Sequence, residues 1–259
     1  MSKSSRDLTV GSLWTAIAVL TLPMIIGIMA TMSVSIVDTY FVGKLGTNEL
    51  AALSFTFPIT ITIASLAIGL GAGAAAVVSQ AIGAKNEKEA KRLSTDSLII
   101  ATLIVVIISI IGLLTIKPLF MLLGAQGDVL SMIERYMWIW YISMPFLVVP
   151  MVANAILRAV GDAVWPSIIM IGAAIINIIT TPILVFGWGP IPAFNIEGAA
   201  YGTLIARVFS LLLALYVAYY REKMIVLFVP ALSEIVHSCK KVLKVGIPAG
   251  VGSPLTPLA

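Results

Sequence analysis

Six long apolar runs, separated by short polar or Gly/Pro-rich breaks, constrain what this chain can become. They lie near residues 13–42, 51–83, 95–117, 132–157, 164–187 and 198–220. A helix needs about 20 mainly apolar residues to cross the hydrocarbon core of a bilayer, and each run is long enough. The breaks include Lys44-Leu45-Gly46, the cluster from Lys85 to Arg92, Gly124 to Asp128, Arg158 to Asp162, and Gly187-Trp188-Gly189-Pro190. The second run exceeds one bilayer thickness, so it is expected to tilt or project beyond the membrane. Composition closes the soluble alternative. Only 11% of the 259 residues are charged, 60% are hydrophobic and the mean hydropathy is +1.08. A soluble domain carries roughly 25% charged residues, and a water-facing surface cannot be built from fewer than half that share. The fold class is therefore all-α, a polytopic transmembrane helical bundle of six spans plus the start of a seventh.

Lys3 and Arg6 precede the first run in the manner of a signal peptide. That run, however, far exceeds the usual apolar stretch of about 7–15 residues in such a peptide, so it reads as a first span. The basic residues of the breaks and ends set an orientation. With the N-terminus inside, twelve Lys and Arg fall on the cytoplasmic side: Lys3, Arg6, Lys85, Lys88, Lys91, Arg92, Arg158, Arg221, Lys223, Lys240, Lys241 and Lys244. Three fall outside, namely Lys44, Lys117 and Arg135. This bias predicts a cytoplasmic N-terminus in a bacterial or archaeal inner membrane. Because the basic residues are spread over the loops rather than gathered in one patch, the net charge of +4 implies no nucleic-acid partner. The single cysteine, Cys239, excludes an intramolecular disulfide and a Cys-based zinc site.

The chain divides into a cytoplasmic N-terminal segment (1–12), a six-helix bundle (13–220), a basic connector (221–244) and a last stretch (245–259) that repeats the opening of the first span. Pro23-Met24-Ile25-Ile26-Gly27 aligns with Pro248-Ala249-Gly250-Val251-Gly252. An even number of spans returns the chain to its starting side. A second unit beginning there would run parallel to the first, as in the parallel repeats of secondary transporters. The chain is expected to be the N-terminal part of such a protein.

Four segments resemble the multidrug and toxic compound extrusion (MATE) family. Val37-Asp38-Thr39-Tyr40-Phe41-Val42-Gly43-Lys44-Leu45-Gly46 is similar to V-D-T-x-F-V-G-x-L-G, and Ser79-Gln80-Ala81-Ile82-Gly83-Ala84 to S-Q-x-x-G-A. Leu157-Arg158-Ala159-Val160-Gly161-Asp162 resembles L-R-A-x-G-D, and Ile196-Glu197-Gly198-Ala199-Ala200-Tyr201-Gly202-Thr203 resembles I-x-G-A-A-x-x-T. The resemblance implies one lobe of a two-lobe, twelve-helix antiporter that exports cationic or amphipathic compounds in exchange for H+ or Na+. Its partners would be those small molecules, the lipid bilayer and a C-terminal lobe; no cofactor is implied beyond the coupling ion.

Asp38 is the sharpest local signal. A carboxylate in the middle of a membrane helix costs about 2.5–3.5 kcal/mol on insertion scales. Such residues usually face a bundle interior or a water-filled path, and a carboxylate there can take up and release a proton. The bland alternative is an interfacial carboxylate near Lys44. By the resemblance, Asp38 corresponds to the family's ion- or proton-coupling aspartate. Asn177 fits the family pattern N-I-I-L-D-P, but its acid is Thr181 here, which puts a sodium site of the usual composition in doubt. Thr203 closes the fourth motif and joins the expected coupling set. Pro23 removes a backbone hydrogen bond from the helix that carries Asp38, so a bend there could link protonation to the shape of the lobe. Gly69 and Gly73, a small-xxx-small pair, predict close helix packing. Arg207, midway along the sixth run, needs a partner or a watery path.

No catalytic residue is expected. The one histidine, His237, lies in the connector, no H-E-x-x-H helix or P-loop is present, and no metal site is predicted. Two rival readings remain: a lipid or polyprenyl-carrier flippase, which basic cavity residues would favour, and a non-transporting membrane assembly protein, which would not need Asp38 and Asn177 within its spans.

Overall fold

The computed structural model describes residues 13–226 and 232–252. Residues 1–12 and 253–259, including Lys3, Arg6 and the end of the expected seventh span, lie outside that description, as does the side chain of His237. Eight α-helices follow in order among the described residues: α1 (Leu13–Leu45), α2 (Thr47–Gly83), α3 (Glu87–Leu122), α4 (Gly127–Ser143), α5 (Pro145–Ala159), α6 (Val164–Phe186), α7 (Ile196–Tyr216) and α8 (Leu232–Gly252). A π-helical turn, Val217–Arg221, continues α7. Six segments are long and apolar enough to cross a membrane, with α4 and α5 together making one of them. The chain is a multi-pass membrane protein.

Each helix hides one stripe and shows another. On α3, Ala101, Val105, Ser109, Gly112 and Ile116 are buried, whereas Leu103, Ile107, Ile110, Ile111 and Leu114 are exposed. The exposed set is wholly apolar, so water cannot be its solvent; lipid can. The breaks between spans are local chemistry. Asn86 caps the start of α3: its Oδ1 accepts from the Glu89 backbone N–H at 3.1 Å, and its Nδ2 donates to Glu89 Oε2 at 3.0 Å. Gly161 takes φ +92°, which closes the turn after α5. Asp162 Oδ1 then accepts from the backbone N–H groups of Val164 (2.9 Å) and Trp165 (3.2 Å), which opens α6. The Leu-Arg-Ala-Val-Gly-Asp segment is thus a helix stop followed at once by a helix start.

The structure departs from the sequence reading in three places. The third span begins at Glu87 rather than near 95, because the Asn86 cap fixes the start before the apolar residues do. The fourth run is two helices. Pro145 has no N–H to offer the Tyr141 carbonyl; that carbonyl instead accepts from Met144 N–H at 3.1 Å and from Ser109 Oγ on α3 at 2.5 Å. A neighbouring helix thereby replaces the missing bond. Finally, the boundary placed at 244/245 falls inside α8. Basic side chains make a segment polar but do not stop a helix, and nothing between Lys244 and Gly246 breaks this one.

Gly69 and Gly73 pack closely, as predicted, and their partner is α8. A Cβ on Gly69 would stand 2.5 Å from the Gly246 carbonyl oxygen and 2.8 Å from Gly250 Cα, and one on Gly73 would stand 3.1 Å from Gly246 N. The two glycine pairs let the backbones touch where side chains would hold them apart.

Candidate functional site

Four side chains from three helices meet in a ring. Asp38 comes from the far part of α1, Asn177 and Thr181 from α6, one turn apart, and Thr203 from α7. The Thr181 hydroxyl lies 3.2 Å from Asp38 Oδ1 and 3.3 Å from Asn177 Oδ1. Thr203 donates to Asp38 Oδ2 at 3.4 Å and accepts from Asn177 Nδ2 at 3.1 Å. Asn177 and Thr181 are buried, and Thr181 has no exposed surface. The ring closes because α6 and α7 approach at a glycine: a Cβ on Gly202 would sit 2.7 Å from Thr181 Oγ1.

The ring can hold a proton. Thr181 has one hydroxyl hydrogen and faces two acceptors, so with Asp38 ionised one acceptor goes short. A proton on Asp38 turns that carboxyl into a donor to Thr181 Oγ1 and frees the Thr181 hydrogen for Asn177. The same oxygens could loosely hold one monovalent cation. A single carboxylate lacks the charge to dehydrate a divalent ion, which typically gathers several oxygen ligands, and no cluster of three or more His, Cys, Asp or Glu side chains suited to a metal occurs among the described residues.

The ring borders a cavity of about 590 Å³ that lies within this one bundle. Small-molecule sites run at roughly 300–1,000 Å³, so it is of cargo size. Its lining includes Asp38, Asn177 and Thr203 at one end, with Thr181 behind them. Met24, Ile28, Thr31, Val34 and Ser35 of α1 form one wall, and Phe57, Tyr136, Trp140 and Phe146 add aromatic surface. Pro23 is not among the lining residues. It lies within α1, which remains one helix from Leu13 to Leu45.

Arg207 also lines the cavity, one turn along α7 from Thr203. It donates to Ser143 Oγ at the break between α4 and α5, and its guanidinium stands 5.3 Å from the Trp140 ring centre. The partner that the sequence required for it is therefore a hydroxyl and an indole face. Asn154 and Arg158, on the last turns of α5, line the opposite end of the same cavity.

Sequence reasoning missed three of these groups. Asn154 and Arg158 sit four residues apart just before the Gly161 turn, a spacing that puts them on one helix face, yet Arg158 was counted only as a loop charge. Asp96 was passed over at the start of the third run. It is fully buried on α3 and accepts from Ser238 Oγ of α8 at 2.5 Å, away from the cavity.

A six-span helical lobe with a cargo-sized cavity, and a carboxylate on its wall, is a geometry suited to carrying a solute. Comparison with known proteins names the kind. The chain belongs to the MatE family, whose family model matches residues 23–183. Members of this family are transporters rather than enzymes. A Shewanella oneidensis protein named FAD transporter is 40% identical over 240 residues, covering 93% of this chain and 53% of that protein. The multidrug export protein MepA of Staphylococcus saprophyticus is 28% identical over 233 residues, covering 88% of this chain and 50% of that protein. Among solved structures, a MOP superfamily transporter from Pyrococcus furiosus superposes with a TM-score of 0.85 at 31% identity, over 97% of this chain and 55% of that one. That transporter is described as having a binding pocket of reverse polarity that suggests a different function. The chain spans about half the length of the curated relatives it matches.

Proposed function

We propose that this lobe belongs to a secondary active exporter that moves a small aromatic amphiphile through the cavity in exchange for H+ or Na+ taken up at Asp38. The observation that carries the reading is the ring itself: a lone carboxylate, hydrogen-bonded to two other helices, on the wall of the space a cargo would fill. Asp38, through Thr181 and Thr203, ties α1 to α6 and α7. A cation at Asp38 rearranges those bonds, and α1, with Pro23 removing one of its own backbone bonds, is the wall free to move. Cargo and cation then exclude each other by shape, which is the differential affinity that exchange requires.

The family resemblance implies a cationic or amphipathic cargo. Two observations favour an anionic aromatic one instead. The charged residues lining the cavity are Asp38, Arg158 and Arg207, so positive charge is in excess. The relative at 40% identity is named an FAD transporter. We therefore assign a flavin-nucleotide type of cargo. Everted vesicles carrying this chain joined to the C-terminal half of the Shewanella relative should accumulate FAD when a proton or sodium gradient is imposed. Accumulation of ethidium without FAD would return the cargo to the cationic class.

A further inference from the structure

We propose that Asn154 and Arg158 form an anion-recognising subsite at the end of the cavity remote from Asp38, which takes the phosphate group of the aromatic cargo. The proposal rests on the flavin-nucleotide reading above and locates the part of the cavity that reads it.

Arg158 is half-buried and lines the cavity, yet among the described residues no hydrogen bond or ion pair accounts for its guanidinium. A half-buried guanidinium with none of its five donors engaged within the protein is open to an incoming anion. One turn back on α5, Asn154 is only 6% exposed, and its Oδ1 has no partner. A buried amide oxygen without a partner and a guanidinium without one, on one helix face and both on the cavity wall, mark a place where something else can bind.

The nearest opposing charge in the cavity does not supply it. The lining runs along α6 from Pro166 to Asn177, eleven residues or about 16 Å at the helical rise. Asp38 sits at the Asn177 end, while Arg158, just before the turn into α6, sits near the Pro166 end. Between them lies Arg207 against Trp140. The cavity thus presents a carboxylate, then a guanidinium over an indole, then a donor and acceptor pair. An aromatic ring suits the middle. A phosphate suits Arg158, whose planar fork can make two parallel charge-assisted bonds to it. The Asn154 oxygen accepts hydrogen bonds, so it suits a hydroxyl beside the phosphate. A polyol phosphate attached to a ring offers all three.

The test uses the 259-residue chain in phosphatidylcholine nanodiscs and follows flavin fluorescence on titration with riboflavin, FMN and FAD. These ligands share a ring and a ribityl chain and differ in phosphate. Arg158→Gln should weaken FMN and FAD by about tenfold or more, the scale of a lost charge-assisted contact, and riboflavin by less than about twofold. Arg158→Lys, which keeps the charge and loses the fork, should fall between. Asn154→Leu should weaken all three, since all carry the polyol. Equal losses for riboflavin and FMN in Arg158→Gln, or no loss for either, would overturn the subsite while leaving the flavin reading standing. Absence of binding by the unmodified chain to any flavin would overturn both. The phosphate could instead arrive on a lipid: displacement of FMN by undecaprenyl phosphate, with inorganic phosphate inert, would move the subsite to a lipid-borne anion and overturn the flavin source.

Discussion

The two ends of the cavity differ in how completely their polar groups are satisfied. At the Asp38 end, every named side chain is bonded to another, across three helices. At the Arg158 end, two polar side chains face the same cavity and neither has a partner among the described residues. A closed ring that can redistribute one proton is suited to switching. An open pair is suited to holding something that comes and goes. The difference separates two tasks that a carrier must keep apart, the uptake of the driving ion and the grip on the cargo.

Substitutions can break or sharpen this contrast. The largest effect is expected from Asp38→Asn, which keeps the shape and removes the titrating group. Gradient-driven transport by the completed transporter should fall on the order of a hundredfold, the upper range of a coupling free energy, with membrane insertion unchanged by protease-accessibility mapping. Gly202→Ala comes next. Its Cβ would stand 2.7 Å from Thr181 Oγ1, so α7 must back away from α6, costing about 1–3 kcal/mol of stability as overpacking does. Thermal unfolding in detergent should register that loss, whereas Gly83→Ala, where a Cβ meets nothing within 4 Å, should not. At the opposite end, Asp162→Ala removes the cap that opens α6 and should cost about 1 kcal/mol, loosening the turn that carries Arg158 without touching the ring. The smallest effect is expected from Thr181→Ala. It removes one hydrogen bond to Asp38, about 1 kcal/mol, and should slow gradient-driven transport by less than about tenfold; Thr181→Asp, by adding a second carboxylate, should increase its dependence on sodium.

Much of this was legible in the sequence. Apolar run length gave the spans, because a bilayer demands length and little else. The ring was legible too: Asp38, Asn177, Thr181 and Thr203 were each singled out, and the structure brings the four together, although their role remains the proposal made above. What the sequence could not show was the meeting of distant groups. Thr181 stands 143 residues from Asp38 in the chain, and only the approach of α7 to α6 at Gly202 makes them neighbours of Thr203. Arg158 was hidden for a different reason. A basic residue next to a turn looks like a loop charge until the fold shows that its helix face lines a cavity. The division of the fourth run at Pro145 was legible as a proline within a span, but the rescue of the Tyr141 carbonyl by Ser109 needed the packing of α3 against α4.

The central claim is that cation uptake at Asp38 and cargo binding exclude one another. Flavin affinity of the chain in nanodiscs, measured from alkaline to acid pH and with or without sodium, tests it most directly. Protonation alone would remove a negative charge and favour an anion, so electrostatics and the shape-based account give opposite signs. The account predicts that FAD binding weakens as the proton or sodium occupies the ring, and that Asp38→Asn stays at the weak value across the whole range. Affinity that rises on acidification, or a pH dependence that survives unchanged in Asp38→Asn, would contradict it.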